Sequence, residues 1–595
     1  MRVLGITTEG DSGAAIVEDG RILAAVNEER LSRLKLVVGF PRGAIREVMD
    51  LSATTPDSLD AVVVAAERGI FVDELQPFDG WQQLSSNSRA DSAIKRLAGP
   101  LSRFQRNLPW LEAGYYALLS PKFSLRQRRI EQILRDEFSI RCPVKFVDHH
   151  FAHLTSAYFT SGFENALVVS IDGGGDGRSS LIATATNGRL KLLHEVSSFN
   201  SLGNYYAYVT DLCGFKAMKH EGKITGLAGH GEPKYLDLLE QFVDEAGGTI
   251  VNRAGLVFRA AADELRRQLP QGWAREDLAA SIQRHFERVV RRYARFWAQR
   301  TGLRDLAVAG GVFANVRVNQ EVLGLAEIDR FFVHPHMSDG GLSVGAALAA
   351  CVPGVLDRTM PRDPAPLSDV YLGRDLTEEA IEQALSKYGL RPEPTERPIE
   401  DHVADLLSEG HVVARAAGRM EYGPRALGNR SILYKPTDPS VNDWLNENLQ
   451  RTEFMPFAPA TLYEARDDCF FNVGGGEHAA EFMTITFDCK PWMRTNLPGV
   501  VHVDGTARPQ LVREETNPSY YRIIRGFRDR TGLPAVINTS FNMHGEPIVN
   551  SADDCVRAFL QGNLDYLAIG SYLIRHPEPL THPLQPVGVP AAVES

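Results

Sequence analysis

Short apolar stretches separated by polar turns open the chain. They predict three strands, a helix and a buried strand, at Arg2–Thr7, Ala14–Glu18, Arg21–Asn27, residues 42–51 and Asp60–Ala66. The Asp19-Gly20 pair between the second and third strands is typical of a two-residue hairpin turn. Residues 70–125 mix Pro, Gly and Ser with aromatic side chains and show no clear period, so we interpret them as an insertion.

Strands and helices alternate regularly after this region. The predicted elements are a helix at Leu125–Phe138, strands at Val144–Val147 and Ala166–Ile171, a long Arg-rich helix at 274–301, strands at Leu306–Ala309 and Asp329–Val333, and a small-residue helix at Gly340–Ala350. Such alternation indicates α/β units on a mixed sheet, and the expected fold class is therefore α/β.

A Pro-rich stretch at residues 351–369 lacks periodicity and is the predicted linker. The chain has 595 residues, which is more than one hydrophobic core ordinarily supports. We therefore predict one domain over residues 1–355 and a second over residues 366–595. The Pro-rich tail from Pro577 to Ser595 is expected to contribute little to the second core.

The charge, the cysteine spacing and the apolar runs of the sequence argue against several classes of protein. The formal net charge of -11 argues against a general nucleic-acid binder, because such proteins usually carry a basic surface. The six cysteines have no CxxC spacing, which argues against a disulfide framework or a cysteine zinc site. We recognise no signal peptide and no apolar run that could span a bilayer, so we expect a cytoplasmic protein without membrane contact.

Two histidines in the segment VDHHFAHLTSAYF have the spacing of metal ligands. His149 and His153 are four residues apart, so on a helix they share one face. Two imidazoles on one face suit a transition metal. On spacing alone, a pair of structural histidines beside the core is the favoured interpretation. No HExxH glutamate is present, so a zincin-type protease is not indicated.

Four glycine-bearing turns each follow a predicted strand. They are Asp11-Ser12-Gly13, Asp172-Gly173-Gly174, Gly310-Gly311 with Asn315 nearby, and Ser338-Asp339-Gly340-Gly341. Glycine permits close backbone approach, and successive N–H groups can bind an anion. Any one of them is explained equally well as a tight turn. Together they favour a nucleotide held by loops at one edge of a sheet.

Arginines and small polar residues recur in loops of the second half. The residues are Arg425, Arg430, Arg451 and Arg508, with Asn538 and Ser540 after an apolar strand. Arginine binds phosphate and carboxylate groups with paired hydrogen bonds. Surface arginines in polar loops explain each motif singly, but the set in an acidic protein favours an anion pocket.

The glycine turns and the HxxxH pair, in this order, resemble the actin/Hsp70-like nucleotide fold and its Kae1-like branch, which makes threonylcarbamoyladenosine in tRNA. This resemblance implies a metal held by His149, His153, Asp172 and Asp339, with iron favoured over zinc or manganese. The segment from Lys219 to Ala228 matches the branch's GK-x-x-GLA motif. It implies that Lys223 and Gly226 lie near the nucleotide, for which ATP with Mg²⁺ is expected.

The motifs YGPRALGNRS, RTEFMPFAP and NTSFN closely resemble the NodU/CmcH carbamoyltransferase family, and the resemblance covers nearly the whole chain. That family joins an actin-like domain to a YrdC-like α+β domain. It implies that Arg425, Arg451, Arg508, Asn538 and Ser540 bind carbamoyl phosphate, and we add Arg430 from the same loop as Arg425.

The resemblance also implies a reaction in two stages. Carbamoyl phosphate would be hydrolysed to carbamate, which reacts with ATP to give carbamoyl-adenylate and pyrophosphate. An acceptor hydroxyl would then take the carbamoyl group and release AMP. The expected catalytic residues are the four metal ligands and Arg425. The acceptor is expected to be a small natural product, such as an antibiotic, and is left open among sugars, aminoglycosides, macrolides and guanidinium toxins. A homodimer is also left open.

Two positions depart from the family pattern. Members usually carry HDSAA in the first loop, whereas this chain has Gly10 where the histidine is usual, and some relatives carry Arg where this chain has Met455. The alternatives are a tRNA threonylcarbamoyl-modifying enzyme, which lacks these carbamoyltransferase motifs, and a non-catalytic nucleotide-binding regulator. The related hydrogenase-maturation enzyme is not favoured, because its CxxC zinc modules are absent from the sequence.

Overall fold

The structure is a computed structural model that describes residues 1–69, 71–78, 80, 110–360, 364–440, 444, 446, 447, 449 and 457–578. The described residues form two compact units. The first unit comprises Met1–Arg374, Glu421–Arg425 and Asn472–Phe487, and the second comprises Asp375–Met420, Ala426–Phe471 and Asp488–Ser595. Sequence analysis predicted two consecutive domains; in the structure, two short later segments pack with the N-terminal part.

The strands and helices up to residue 349 belong to the first unit. The strands are β1 (Arg2–Thr7), β2 (Gly13–Glu18), β3 (Arg21–Asn27), β4 (Val37–Val38), β5 (Ala61–Ala65), β6 (Gln76–Pro77), β7 (Val144–Val147), β8 (Asn165–Gly175), β9 (Arg178–Thr186), β10 (Arg189–Ser197), β11 (Val243–Ala246), β12 (Thr249–Asn252), β13 (Asp305–Ala309) and β14 (Arg330–Val333). The helices are α1 (Glu29–Ser32), α2 (Arg42–Leu51), α3 (Trp110–Phe138), α4 (His149–Ser161), α5 (Leu202–Leu212), α6 (Glu221–Leu227), α7 (Leu236–Glu240), α8 (Phe258–Gln268), α9 (Arg275–Thr301), α10 (Val316–Leu323) and α11 (Leu342–Ala349).

Two five-stranded sheets in this unit share one topology. Their orders are β3-β2-β1-β5-β7 and β10-β9-β8-β13-β14. In each, the first three strands are antiparallel and the last two run parallel to the third. Two sheets with the same topology are what we expected of an actin/Hsp70-like fold. The predicted α/β class is confirmed. In such an arrangement the loops after the central strands of both halves can face one another.

Helix α11 packs closely on strand β1 and on helix α4. A Cβ atom added to Gly5 of β1 would lie 2.0 Å from the carbonyl oxygen of Ser343, and one added to Gly345 would lie 1.9 Å from that of Ala152. The small residues of the predicted helix therefore allow backbone approach that larger side chains would prevent. The predicted start at Gly340 is corrected: a 3₁₀ turn occupies Asp339–Gly341 and the α-helix begins at Leu342.

The predicted insertion at residues 70–125 is corrected over its last part. Helix α3 begins at Trp110 and continues through Pro121. Proline normally ends or kinks a helix, which is why the sequence pattern there indicated irregular structure. Most of the remaining predicted insertion lies outside the described residues. The C-terminal half of α3 contributes Ile130, Leu134 and Phe138 to the core beneath the first sheet.

The remaining strands are β15 (Val413–Ala416), β16 (Arg430–Tyr434), β17 (Ala458–Leu462), β18 (Phe487–Asp488), β19 (Thr506–Ala507), β20 (Gln510–Val512), β21 (Ala535–Ser540), β22 (Tyr566–Ile569) and β23 (Tyr572–Arg575). The remaining helices are α12 (Glu378–Lys387), α13 (Ile399–Glu409), α14 (Arg466–Cys469), α15 (Glu477–Glu481), α16 (Pro491–Asn496), α17 (Pro518–Thr531) and α18 (Ala552–Gln561). The second unit contains a mixed seven-stranded sheet with the order β20-β17-β21-β16-β15-β22-β23. Its core includes Leu433, Leu462 and Phe527. The more specific YrdC-like description remains a prediction.

Candidate active site

Helix α4 places three histidines within its first two turns. Its N-cap residue, Asp148, accepts a hydrogen bond from the main-chain nitrogen of Phe151 at 2.9 Å. His150 donates from Nε2 to the carbonyl oxygen of Arg178 at 3.0 Å and accepts at Nδ1 from the Ser170 hydroxyl at 2.8 Å. These partners account fully for the buried His150 ring, which identifies it as a structural histidine.

His149 and His153 are buried without comparable partners. Their exposed fractions are 2% and 0%, and none of their four ring nitrogens has a hydrogen-bond partner within the described part of the chain. Unpaired buried polar atoms cost free energy, so native proteins rarely retain them without a ligand or water. This arrangement fits metal ligands better than structural histidines.

Two aspartates approach these rings, Asp172 from within strand β8 and Asp339 from the 3₁₀ turn that follows β14. Asp172 lies 3.5 Å from His153, between Oδ2 and Nε2, and the same oxygen accepts from the main-chain nitrogen of Gly311 at 2.6 Å. Asp339 lies 3.7 Å from His149, between Oδ1 and Nε2. One candidate ligand atom from each of these side chains lies within 4.8 Å of the other three. The four residues that the family resemblance implied are therefore brought together.

Electrostatics at the cluster favour a cation. Burial and the neighbouring carboxylates of Asp172, Glu9 and Asp11 raise the pKa of Asp339 well above its usual range. Burial lowers the pKa of both His149 and His153, so the imidazoles do not supply a compensating positive charge at neutral pH.

The donor set fits the expected metal. Two imidazoles and two carboxylates suit iron, zinc or manganese. Ligand atoms bound at about 2.2 Å from one ion are at most about 4.4 Å apart, so the cluster must contract slightly around it. His149 and His153 are held on helix α4, while Asp172 lies near the C-terminal end of strand β8 and Asp339 begins the 3₁₀ turn before α11.

The first predicted nucleotide turn lies beside the turn that carries Asp339. Asn27 donates from Nδ2 to the carbonyl oxygens of Asp11 and Gly340, at 3.0 and 3.3 Å. His336 pairs with Asp11, with 3.0 Å between Nε2 and Oδ2. A Cβ atom on Gly340 would lie 2.1 Å from that His336 nitrogen, so only glycine fits here. Ser12 is fully buried in the same loop.

The segment predicted as the second turn is corrected: strand β8 continues through Asp172, Gly173 and Gly174 to Gly175, and the third predicted turn meets it at Asp172. Besides the Gly311 nitrogen, the Asp172 carboxylate accepts from the main-chain nitrogen of Gly173 at 2.5 Å. Gly310 has φ of +107°, and a Cβ atom there would lie 2.2 Å from the carbonyl oxygen of Ile171. Gly174 has φ of +152°. The backbone of these two segments therefore depends on glycine.

A buried polar network supports the region around the remaining nucleotide candidates. Asn315 donates from Nδ2 to Oε1 of Gln283 at 2.8 Å, and the Tyr206 hydroxyl donates to the same oxygen at 2.8 Å. Tyr206 also lies 3.1 Å from the Thr225 hydroxyl in helix α6, which carries Lys223 and Gly226. The network thus links Asn315 to this helix, while nucleotide binding by these residues remains a prediction.

The second unit contains most of the predicted carbamoyl-phosphate residues. Asn538 is buried in β21 and donates from Nδ2 to Gln510 Oε1 at 2.8 Å and to the carbonyl oxygen of Ala426 at 3.1 Å. Its Oδ1 atom has no hydrogen-bond partner among the residues that the structure describes. Ser540 ends the same strand, and Arg508 follows β19.

The other predicted arginines have different positions. Arg430 is fully buried, and its Nη1 donates to the carbonyl oxygens of Gly418 and Asn429 at 3.0 and 2.8 Å. These bonds favour support of the loop over direct contact with phosphate. Arg425 belongs to the segment that packs with the first unit. Arg451 and Met455 lie outside the described residues.

Several residues around the cluster were not predicted. Asp148, Asp176 and Arg178 contact the start of helix α4, and Asp176 lies in the DGGGDG motif from which only Asp172, Gly173 and Gly174 were selected. Arg126 is fully buried and donates to the Thr8 hydroxyl at 3.0 Å and to the carbonyl oxygen of Ala66 at 2.6 Å. Nothing in the local sequence of a long helix distinguishes Arg126 from a surface arginine.

Sequence comparison identifies relatives of both halves of the chain. The carbamoyltransferase N-terminus family profile matches residues 2–348, and the carbamoyltransferase C-terminus profile matches residues 404–576. The chain belongs to the carbamoyltransferase family. The predicted resemblance to the NodU/CmcH family is thereby confirmed. Membership of this family identifies the protein as a transferase.

Two nodulation proteins illustrate how far the similarity extends. The carbamoyltransferase is 34% identical to nodulation protein NolNO of Sinorhizobium fredii, over 95% of this chain and 79% of that protein. It is 38% identical to nodulation protein NolO of Bradyrhizobium diazoefficiens, over 72% of this chain and 79% of that protein. An alignment with full-length HypF has a TM-score of 0.33 at 12% identity, covering 59% of this chain and 55% of HypF, and supports no functional statement. Within the described residues, no helix of the carbamoyltransferase is long and apolar enough to cross a membrane.

Proposed function

We propose that this carbamoyltransferase uses ATP to move the carbamoyl group of carbamoyl phosphate to a hydroxyl group of a small natural-product acceptor. Carbamoyl phosphate and water give carbamate and phosphate. Carbamate and ATP give carbamoyl-adenylate and pyrophosphate. The acceptor oxygen then forms a bond to the carbamoyl carbon as the bond to AMP breaks, and the hydroxyl proton is lost.

The observation that carries the proposal is the buried cluster of His149, His153, Asp172 and Asp339. Its imidazole nitrogens, which have no hydrogen-bond partner among the described residues, and its two carboxylates fit a divalent metal, with iron favoured and zinc or manganese as alternatives. Such a metal, when bound, supplies Lewis-acid chemistry that polarises a carbonyl group or lowers the pKa of a hydroxyl group. The residues of this chain hold those ligands in place and exclude water from their buried faces.

Nucleotide binding is assigned to the glycine segments around this cluster. Asn27 joins the Asp11-Ser12 loop to the Gly340 turn, and Asp172 joins the Gly173-Gly174 segment of β8 to the Gly310-Gly311 turn. Main-chain N–H groups in such turns bind phosphate oxygens. Mg²⁺ would accompany ATP, since it pairs with nucleotide phosphates in such sites.

Carbamoyl phosphate recognition is assigned to the loops of the arginine motifs. The carbamoyl NH₂ group needs a hydrogen-bond acceptor, which arginine cannot provide. The unpartnered Oδ1 atom of Asn538 is such an acceptor. Arginine side chains such as Arg508 would balance the phosphate charge as the carbamoyl group leaves.

The proposal is tested first without an acceptor. Purified protein is incubated with ATP and Mg²⁺, with and without carbamoyl phosphate, and pyrophosphate is measured. Release of pyrophosphate that requires carbamoyl phosphate is expected. Cleavage of ATP to ADP alone, or no cleavage, would contradict the proposal.

The second test adds acceptors from the expected classes. Product mass is compared with acceptor mass, and a gain of one carbamoyl group on oxygen is expected for a true acceptor. Asp339→Ala should retain pyrophosphate release and lose transfer. Loss of neither activity in that variant would contradict the role given to the cluster.

A further inference from the structure

Asp176, in the turn after strand β8, and Arg178, the first residue of β9, contact the N-cap and the first two residues of helix α4. The Arg178 guanidinium pairs with Asp148, with 2.6 Å between Nη1 and Oδ2. The Arg178 carbonyl oxygen accepts from His150. Asp176 accepts from the main-chain nitrogen of His149 at 2.7 Å. This turn therefore holds the peptide that carries one candidate metal ligand.

Asp176 also binds the loop after strand β5 in the other half of the unit. Its Oδ2 accepts from the main-chain nitrogen of Glu67 at 2.9 Å, and its Oδ1 accepts from that of Arg68 at 2.6 Å. One carboxylate with 8% exposure thus satisfies three main-chain donors. Hydrogen bonds to an ionised acceptor are about twice as strong as neutral ones. Asp176 therefore connects the loop after strand β5 of the first sheet to the main chain of His149.

The imidazole of His149 lacks the hydrogen bond that usually orients a metal-binding histidine. Such a histidine normally donates its second ring nitrogen to a carboxylate or carbonyl group. Neither ring nitrogen of His149 has a partner in the described part of the chain. The ring packs instead on Gly175, where an added Cβ atom would lie 2.2 Å from its Cγ. The orientation of the His149 ring therefore depends on the hydrogen bond between its main-chain nitrogen and Asp176 and on the packing of the ring against Gly175.

We propose that Asp176 is a positioning residue for the metal centre: it orients His149 by holding the His149 peptide against the Glu67–Arg68 loop, and so sets metal affinity. The proposal rests on the metal assignment under the proposed function. It extends that assignment to a residue that contacts neither metal nor substrate. Loss of the carboxylate releases the His149 peptide from both the turn and the loop, and the ligand then samples other orientations.

Asp176→Asn tests this role with little backbone change. Asp176 has φ of +51°, which asparagine tolerates better than most residues. The amide keeps one acceptor oxygen and presents an NH₂ group to the remaining donors. Binding of Co²⁺ is measured by equilibrium dialysis and by visible absorption, which reports ligand geometry. We expect Kd to rise about 10-fold to 100-fold, the range typical when a supporting partner of a metal ligand is removed.

Asp277→Asn is the matched control. Asp277 is likewise buried and accepts from a main-chain nitrogen of a loop, at 2.9 Å from that of Glu232, but it lies in the first turn of helix α9, in a different part of the unit. It should keep the wild-type Kd and absorption even if its melting temperature falls. Gly175→Ala provides an independent route, because its methyl group displaces the His149 ring and should also weaken Co²⁺ binding.

The outcomes separate this inference from the proposed function. If the wild type does not bind Co²⁺, or binds it equally well after His149→Ala, the metal centre and the positioning role both fail. If wild-type binding depends on His149 but Asp176→Asn and Gly175→Ala bind Co²⁺ as tightly as the wild type, only the positioning role fails. Should Asp176→Asn not fold, Asp176→Ser, which also removes the carboxylate, takes its place, because Gly175→Ala moves the His149 ring directly and does not report on Asp176.

Discussion

Nε2 of His153 lies 3.5 Å from Oδ2 of Asp172, on the side of helix α4 that faces the glycine loops. His150, one turn earlier on the same helix, directs both ring nitrogens to other partners. The same sequence segment therefore contains one structural histidine and two whose ring nitrogens have no hydrogen-bond partner among the described residues. Because they differ in their partners, the three histidines of the HHFAH segment provide an internal test of the metal assignment.

Single replacements of the three histidines should fall into two groups, one that loses metal and one that loses stability. We expect His149→Ala and His153→Ala to lose most bound metal and all carbamoyl transfer while remaining folded, because each removes a ring without hydrogen-bond partners. His150→Ala should retain metal but lose about 1–3 kcal/mol of stability, because it leaves buried partners unpaired. Metal content by mass spectrometry and denaturant unfolding measure the two effects. Equal metal loss in all three variants would argue against the assignment.

Glycine replacements test the loop that carries Asp339. In Gly340→Ala the new methyl group would collide with the paired side chains of His336 and Asp11, at 2.1 and 2.6 Å. Forced repacking of this kind costs about 1–3 kcal/mol, and we also expect weaker metal binding. Thermal unfolding and metal titration provide the measurements.

Gly222→Ala is the control for this replacement. Gly222 is exposed in helix α6, and an added Cβ atom there meets nothing within 4 Å. Alanine in a helix should stabilise the protein by about 0.5–1 kcal/mol. A Gly340→Ala variant as stable and as metal-replete as Gly222→Ala would show that the close approach at Gly340 is unimportant.

Asn538 should discriminate carbamoyl phosphate from acetyl phosphate. Its buried Oδ1 can accept from an NH₂ group but not from a methyl group. We expect Asn538→Leu to reduce kcat/KM for carbamoyl phosphate by about 10-fold to 100-fold, which corresponds to roughly 1.4–2.7 kcal/mol. Inhibition by acetyl phosphate should strengthen relative to the wild type. Unchanged discrimination between the two phosphates would place the NH₂ group elsewhere.

The residues of the candidate site were more predictable than the support around them. His149, His153, Asp172 and Asp339 were found because strand ends and helical spacing are local features, and a family resemblance joined them. The contacts of Asp176 and Arg178 with helix α4 were not found, because they join segments that are distant in sequence. The glycine pattern predicted a turn over DGGGDG, whereas strand β8 continues to Gly175 and only Asp176 and Gly177 form the turn. No local pattern shows which backbone groups the second carboxylate will meet.

Secondary structure was predictable where one periodicity dominated. Strands β1, β3 and β7 and helix α2 have the predicted bounds. The start of helix α3 was not predicted, since Pro121 lies within it and interrupts the pattern. The grouping of residues 421–425 and 472–487 with the first unit was also not predicted. Tertiary packing decides such groupings, and composition along the chain does not reveal them.

The buried imidazole of His334 should make the metal-free protein sensitive to acid. It is fully buried and donates from Nδ1 to the Thr160 hydroxyl at 3.1 Å. Burial, together with His336 and His153, lowers its pKa to about 3. The unfolded chain has a pKa near 6.5 at this residue. His334 therefore contributes stability that is fully present above about pH 6.5 and is lost as the pH falls towards 3, because only the unfolded state then binds the proton.

His334→Gln removes this proton linkage and retains an amide that can donate to Thr160. At one pH unit below the unfolded pKa, a single such group costs about 1.4 kcal/mol. Urea unfolding of metal-free protein at pH 7.5 and 5.5 should therefore show a larger loss of stability for the wild type, by about that amount. The comparison uses each protein's own difference between the two pH values, so a uniform effect of the substitution cancels. Equal losses in both proteins would mean that the His334 ring takes up its proton in the folded state.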